Sequence, residues 1–135
     1  MAIRLEKSEG VVGGDFIYER KSSTLANPVP ANTTNHPLLT WTKSLTSGDA
    51  LLTAVGTDQH DNSIYTWVVD GVTLPISGAA RVGSVHDPFI FPDPVRVKAS
   101  VILYVTNNNA VAYPNNGLNP SDQMPYEGVM IARWA

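Results

Sequence analysis

The chain has 135 residues, a length that fits one domain and allows roughly two thirds of the unfolded chain's surface to be buried. Charged residues make up only 16% of it, below the roughly 25% of an average soluble domain, and neutral polar residues, Gly and Pro replace them, which argues against a helical protein. The net charge of -3 argues against direct nucleic-acid binding, and the absence of cysteine excludes disulfides, thiolate metal sites and cysteine nucleophiles.

The N-terminal part, residues 1–37, is predicted to contain a strand followed by an extended arm. Val11–Arg20 has the composition of β-structure and is interrupted by a Gly pair, which is typical of a bulge. Lys21–Pro37 is rich in Ser, Thr, Asn and Pro, and its three prolines favour extended backbone. Leu25 and Val29 are its only large apolar side chains. We therefore expect an arm or long loop that docks on a neighbouring subunit.

Residues 38–135 are predicted to form the β-sandwich itself. Three strands are expected at Leu38–Leu45, Ala50–Gly56 and Ile64–Val69, separated by short polar turns. The last of these strands is followed by Asp70-Gly71 and a second apolar run. An Asp-Gly pair between β-branched runs indicates a two-residue hairpin, because both central positions of a type I′ turn need a positive φ.

The longest predicted strand is Val95–Val105, preceded by a Pro-rich link at Asp87–Pro94. Its odd positions are all apolar, while its even positions begin polar and become apolar at Ile102 and Tyr104. Alternation of this kind is typical of a half-buried strand. We expect the far half of its outer face to be covered by an arm, by the edge of the second sheet or by another subunit.

The C-terminal part combines a long loop with one more strand. Residues 106–126 are rich in Asn and Pro. Gly128–Ala135 is apolar on both faces, which predicts a strand that is central in a sheet or lies between two chains. No window keeps a helical apolar period free of Gly, Pro and β-branched residues. The predicted fold class is all-β, an antiparallel β-sandwich or jelly-roll-like domain without substantial helix.

No residue constellation predicts catalysis or a cofactor. Asp58, His60 and Asp61 share one loop and offer metal ligands, but their spacing fits no known ligand pattern, and acidic clusters in turns usually serve the turn. Ser84, His86 and Asp87 lack the Gly-x-Ser-x-Gly motif of a hydrolase nucleophile, and neighbouring residues of a strand point to opposite faces. We therefore expect no enzyme activity, no catalytic residue, no metal and no cofactor.

The aromatic residues leave one alternative open. The three tryptophans lie in the strongest strand candidates and are expected in the core. Tyr113 and Tyr126 lie in the Asn/Pro-rich loop and are expected to be exposed, where they could contact another subunit or stack on a sugar ring. A carbohydrate-binding module is therefore the alternative to a structural subunit.

Taken as a whole, the low charge, the lack of cysteine, the Pro/Asn/Thr-rich arm and the strand at the C-terminus make the chain resemble small virion proteins of tailed bacteriophages. These are the capsid decoration or cement subunits and the head-fibre bases. The resemblance implies a non-enzymatic subunit that binds other copies of itself or the major capsid protein. The N-terminus shows no signal peptide and no stretch is long enough to span a membrane. We therefore expect synthesis in a host cytoplasm and a final location in the virion.

The residues predicted to lie at subunit interfaces share large apolar or aromatic side chains in strands, arm or loop. They are Ile102, Tyr104, Tyr113, Tyr126, Leu25, Val29 and Trp134.

Overall fold

The structure is a computed structural model that describes residues 16–44, 46–79 and 81–135. Within these residues the chain forms eight strands and one short 3-10 helix, Pro120–Gln123. The strands are β1 (Phe16–Ser22), β2 (Thr33–Thr42), β3 (Ala50–Thr57), β4 (Ser63–Val69), β5 (Val72–Thr73), β6 (Phe89–Val97), β7 (Ser100–Asn107) and β8 (Glu127–Trp134).

The strands pack as two four-stranded antiparallel sheets. Sheet 1 has the order β1-β8-β3-β6 and sheet 2 has the order β2-β7-β4-β5. The pairs are nested, since β1 pairs with β8, β2 with β7, β3 with β6 and β4 with β5. A hairpin of four nested strand pairs that is rolled into two sheets is the jelly-roll topology. The predicted all-β sandwich is confirmed.

The core lies between the sheets and follows the two-residue period of the strands. In β4 and β7 every second residue is buried, including Trp67 and Leu103, which have no exposed surface. Sheet 1 contributes Leu52, Val55 and Met130, which are also fully buried. Burial of each such side chain stabilises the fold by about 1.5–3 kcal/mol.

The predicted hairpin joins β4 and β5. Asp70 has a φ of 52° and Gly71 a φ of 81°, so both central residues have the left-handed conformation that the turn requires. Val69 and Val72 are the pair that closes the turn. This prediction is confirmed.

The prediction of one long strand from Val95 to Val105 is wrong. β6 ends at Val97 in sheet 1, and β7 begins at Ser100 in sheet 2. The chain changes sheets across Lys98 and Ala99, where neither Gly nor Pro marks a turn. The apolar alternation continues through this corner because the buried faces of both strands line the same core.

The Pro-rich link is also shorter than predicted, since β6 already begins at Phe89. β6 is an edge strand, where a proline needs no partner for its missing N–H. Between Leu52 and Ala54 of β3 the pairing with β6 shifts register, and two of the strand's prolines, Pro92 and Pro94, lie in the shifted part.

The structure divides the predicted arm into three parts. Its first residues complete β1, and its last five, Thr33–Pro37, begin β2. Only residues 23–32 connect strands. Gly13 and Gly14, which were expected to form a bulge, lie outside the described residues.

The C-terminal strand is confirmed as a central strand, because β8 lies between β1 and β3. The loop before it, residues 108–126, contains the 3-10 helix. In the part of the chain that the structure describes, no helix has the length and apolar character needed to cross a bilayer.

Candidate interaction surface

The four strands of sheet 2 contain no charged residue. None of β2, β4, β5 and β7 contains Asp, Glu, Lys or Arg at any position. In sheet 1, by contrast, β1, β6 and β8 all contain charged residues of both signs. The few charges of the strands are therefore confined to one of the two layers.

The register places the outward side chains of sheet 2 in rows across the strands. Thr40, Ile102 and Val68 form the central row, because Ile102 lies opposite Thr40 on one side and opposite Val68 on the other. Tyr104 lies in the next row, between Pro37 and Thr66. The centre of this surface is thus apolar and its margins consist of threonine and proline. We call it the uncharged face, defined by Pro37, Thr40, Ile64, Thr66, Val68, Ile102 and Tyr104.

Two of the predicted interface residues, Ile102 and Tyr104, lie at the centre of the uncharged face. Both are half-buried by their neighbours in the sheet. A partner that packed against them would bury apolar surface worth about 25 cal/mol per Å² and would not have to desolvate a charge. This combination of apolar centre and missing charge is typical of the core of a protein interface.

The outer surface of sheet 1 differs because part of it is covered and part is charged. The segment after residue 81 crosses it so closely that a Cβ on Gly56 would lie 2.1 Å from the backbone oxygen of Ser84. Val129, which points to the same side, is fully buried. Beside this cover, the Arg20 guanidinium lies 3.1 Å from the Glu127 carboxylate.

Glu127 also belongs to a pair of carboxyl groups that sequence reasoning did not detect. Partial burial raises the pKa of Asp58, and the neighbouring Glu127 carboxyl raises it further. Burial acts in the same direction on Glu127, but hydrogen bonds from Asp58, Ser22 and Arg20 outweigh it, and its pKa is lowered. The pKa of Asp58 therefore lies above its ordinary value and that of Glu127 below its own. The two residues are 69 positions apart in the sequence, so no local pattern could have joined them.

Tyr113 and Tyr126 are buried, and the prediction that they are exposed is wrong. Tyr126 has no exposed surface and Tyr113 is 9% exposed. The Tyr126 hydroxyl lies 2.6 Å from the Ser63 hydroxyl at the start of β4. The loop of residues 108–126 is polar, as its composition predicted, but it folds over the end of the sandwich and turns these two rings inward.

His60 lies between the same two tyrosines. Its ring centroid is 4.4 Å from that of Tyr126, with the planes 19° apart, and 4.2 Å from that of Tyr113. Burial lowers the pKa of His60, although the carbonyl oxygen of Met124 and the charge of Asp61 act to raise it. We call His60, Tyr113 and Tyr126 the aromatic cluster.

The other constellations weighed in the sequence serve the fold. The Ser84 hydroxyl accepts a hydrogen bond of 2.9 Å from the backbone N–H of Asp87, which closes a turn, and His86 is exposed. Within the described ranges, no three His, Asp or Glu side chains lie close enough to hold one metal ion. His60, one of the three possible ligands in its loop, is stacked in the aromatic cluster.

The remaining interface candidates differ in exposure. Val29 is fully buried in the core, and its N–H and carbonyl pair with the backbone of Tyr113 at 3.0 and 3.2 Å. Val29 therefore binds the connection between β1 and β2 to the loop of residues 108–126 in the same chain, whereas it was expected to contact another subunit from a docking arm. Leu25 is 60% exposed. Trp134 is half-buried against Trp41, with ring centroids 6.1 Å apart.

Comparison with known proteins adds no relative to these observations. No protein-family model matches the chain, and none of the curated proteins matches it in sequence.

Proposed function

We propose that the chain is a non-enzymatic structural subunit of a larger protein assembly, and that the assembly is a virion in which it acts as a decoration, cement or minor structural protein. The observation that carries the proposal is the uncharged face. A sheet surface with half-buried Ile102 and Tyr104 at its centre and without a charged residue in any of its strands is suited to contact protein. In an assembly this face lies against another subunit.

The virion part of the proposal is supported by the resemblance in composition and layout to small tailed-phage proteins. Jelly rolls occur in viral capsid proteins, and also in lectins and other unrelated proteins, so the topology agrees with the proposal without selecting it. The arm contacts that the sequence suggested are reduced to Leu25, because Val29 is used inside the chain.

The carbohydrate-binding alternative has lost the residues on which it depended. Its platform consisted of Tyr113 and Tyr126, and the aromatic cluster holds both rings against His60. Rings that are buried in this way have no free surface for a sugar.

The test is a pair of matched substitutions, Ile102→Lys and Ile131→Lys. Ile102 lies on the uncharged face, whereas Ile131 lies on the outer side of sheet 1, and both are half-buried. A lysine at residue 102 would place a charge in the middle of the proposed contact, which costs several kcal/mol if it stays unpaired. We expect Ile102→Lys to lower the mass of the native assembly and Ile131→Lys to leave it unchanged.

The measurement is sedimentation velocity together with cryo-electron microscopy of particles formed by a tagged chain in its native host. Circular dichroism melts show whether both variants still fold. A wild-type chain that is absent from every particle would contradict the proposal. So would a folded Ile102→Lys chain that joins particles at full occupancy.

A further inference from the structure

The four edge strands of the sandwich differ in how they are protected from pairing with another chain. β6 contains Pro92 and Pro94 within a register shift. β2 contains Pro37 and two register shifts, and β5 is only two residues long. Prolines, bulges and short length, together with charged side chains, are the usual devices that prevent edge-to-edge pairing.

β1 has none of the first three devices, although it contains the charged residues Glu19, Arg20 and Lys21. It pairs with β8 over seven consecutive residues without a register shift, and it contains no proline. β8 is the one described strand that pairs with β1, and no other described strand pairs with the opposite side of β1. Two large outward side chains of this strand are exposed, Phe16 by 56% and Tyr18 by 58%. A regular edge of this kind is a template for an added strand.

We propose that β1 pairs antiparallel with β1 of a second copy of this chain. The two copies are related by a two-fold axis that is perpendicular to the sheet and lies midway between Tyr18 and Tyr18 of the second copy, here called an axis at Tyr18. The contact joins the two copies of sheet 1 into one eight-stranded sheet. It deepens the proposed function and rests on it, because it names one contact of the assembly and the partner that makes it.

The charges of β1 select the second copy and the register. With the axis perpendicular to the sheet, the outer faces of both copies lie on the same side. Residues in opposite positions must then point to the same face, so one residue lies directly opposite its own copy, with the axis between them. An axis at Glu19 would place Glu19 opposite its own copy, and an axis at Arg20 would do the same for Arg20. Like charges in directly opposite positions destabilise a sheet.

An axis at Tyr18 avoids such pairs among residues 16–20. Phe16 then lies opposite Arg20 of the second copy, where a guanidinium can stack on an aromatic face, and Ile17 lies opposite Glu19. Tyr18 lies opposite Tyr18, and aromatic pairs across strands stabilise a sheet. Axes at Phe16, Ile17 and Ser22 also avoid like charges within β1, but each would pair fewer of its residues.

The test uses disulfide crosslinking, for which this chain has a clean background because it contains no cysteine. Directly opposite residues of antiparallel strands have Cα atoms about 4.5–5.5 Å apart, within the range that a disulfide spans. We expect Tyr18→Cys to form a covalent dimer under mild oxidation at least about tenfold faster than Val72→Cys, because pairing raises the effective thiol concentration. Val72 is a suitable control, since it is 65% exposed on the short edge strand β5.

Two further variants test the register. Phe16→Cys and Arg20→Cys should each dimerise slowly alone, and a mixture of the two should crosslink rapidly to the mixed dimer. Equal rates for Tyr18→Cys and Val72→Cys would overturn the β1 contact, and fastest crosslinking of Glu19→Cys would overturn the axis at Tyr18. If residue 18 does not crosslink while Ile102→Lys still lowers the mass of the assembly, the β1 contact is wrong and the assembly role stands.

Discussion

The two ends of β4 are held by different chemistry. Just beyond its C-terminal end, the Asp70 carboxylate accepts hydrogen bonds from the backbone N–H groups of Lys98, Ala99 and Ser100 at 2.8, 2.7 and 3.0 Å. At its N-terminal end, the Ser63 hydroxyl contacts Tyr126 of the aromatic cluster. One end is therefore exposed and polar, and the other is closed by buried rings.

The difference shows how the access of water decides what can close the end of a sandwich. At the Asp70 end the backbone N–H groups between β6 and β7 donate hydrogen bonds to a charged carboxylate, and this carboxylate is exposed to solvent. At the aromatic end water is excluded. There the Nδ1 atom of His60 is buried and has no hydrogen-bond partner among the described residues. An unmade hydrogen bond of this kind costs about 1–3 kcal/mol, which ring burial must offset.

The largest expected effect is that of Tyr126→Ala, which breaks the aromatic end. Removing a fully buried aromatic ring from a packed interior costs about 3–5 kcal/mol, since it loses transfer free energy and leaves a cavity. The free energy of unfolding, measured by urea denaturation at pH 7.5, should fall by that amount.

Tyr126→Phe is the matched control, because it keeps the ring and removes only the hydroxyl that contacts Ser63. Ser63 keeps its other hydrogen bond, to the carbonyl oxygen of Asp61 at 2.9 Å. We expect a loss of about 1 kcal/mol. A loss for Tyr126→Phe as large as that for Tyr126→Ala would show that the hydroxyl, and not ring packing, holds this end.

The second effect in size is that of Asp70→Ala, which breaks the polar end. The substitution removes the acceptor of three backbone N–H groups. It also places alanine, which cannot form the local hydrogen bonds of Asp, in the left-handed conformation at a φ of 52°. Because water can reach the freed donors, we expect a loss of only about 1–2 kcal/mol, similar to that of a helix cap. Urea denaturation of Asp70→Asn should show a smaller loss, since Asn keeps one acceptor oxygen and tolerates the left-handed conformation. Equal stability of Asp70→Ala and wild type would contradict the role of the carboxylate.

The sequence predicted the Asp70 turn but not its second role. An Asp-Gly pair between apolar runs is a local signal, and the hairpin follows from it. The contact of Asp70 with residues 98–100 depends on how β4 and the β6–β7 corner meet in space, about 30 positions apart in the sequence. No Gly or Pro marks that corner, and the carboxylate that binds its N–H groups belongs to Asp70, far away in the sequence. The alternation of apolar residues therefore predicted one unbroken strand through the corner.

The interface residues divide in the same way. Ile102 and Tyr104 were predicted from a change in the outward positions of one strand, which is local information, and they lie on the outer face. Tyr113 and Tyr126 were assigned to the surface because their neighbours are Asn and Pro. The composition of a loop indicates where its backbone runs, but it does not show that two of its side chains fill the open end of the sandwich.

The smallest expected effect distinguishes the two ends by pH. Burial lowers the pKa of His60 below its ordinary value of 6.5, so between the folded and unfolded values the unfolded chain binds more protons than the folded chain. The stability that neutral His60 permits is therefore present above pH 6.5 and is lost as the pH falls below it, at no more than about 1.4 kcal/mol per pH unit for one proton. Urea denaturation at pH 7.5, 6.5 and 5.5 measures the loss.

Asp70 responds in a different range. Partial burial acts to raise the pKa of its carboxyl, but the hydrogen bonds from Lys98, Ser100 and Ala99 outweigh it, and the pKa lies below the ordinary 3.8. Its contribution is complete above about pH 5 and is lost only in stronger acid. The change in stability between pH 7.5 and 5.5 should thus shrink in His60→Gln and persist in Asp70→Asn. If the change in stability is as large in His60→Gln as in the wild type, protonation of His60 is not its cause, because the variant has no histidine at this position.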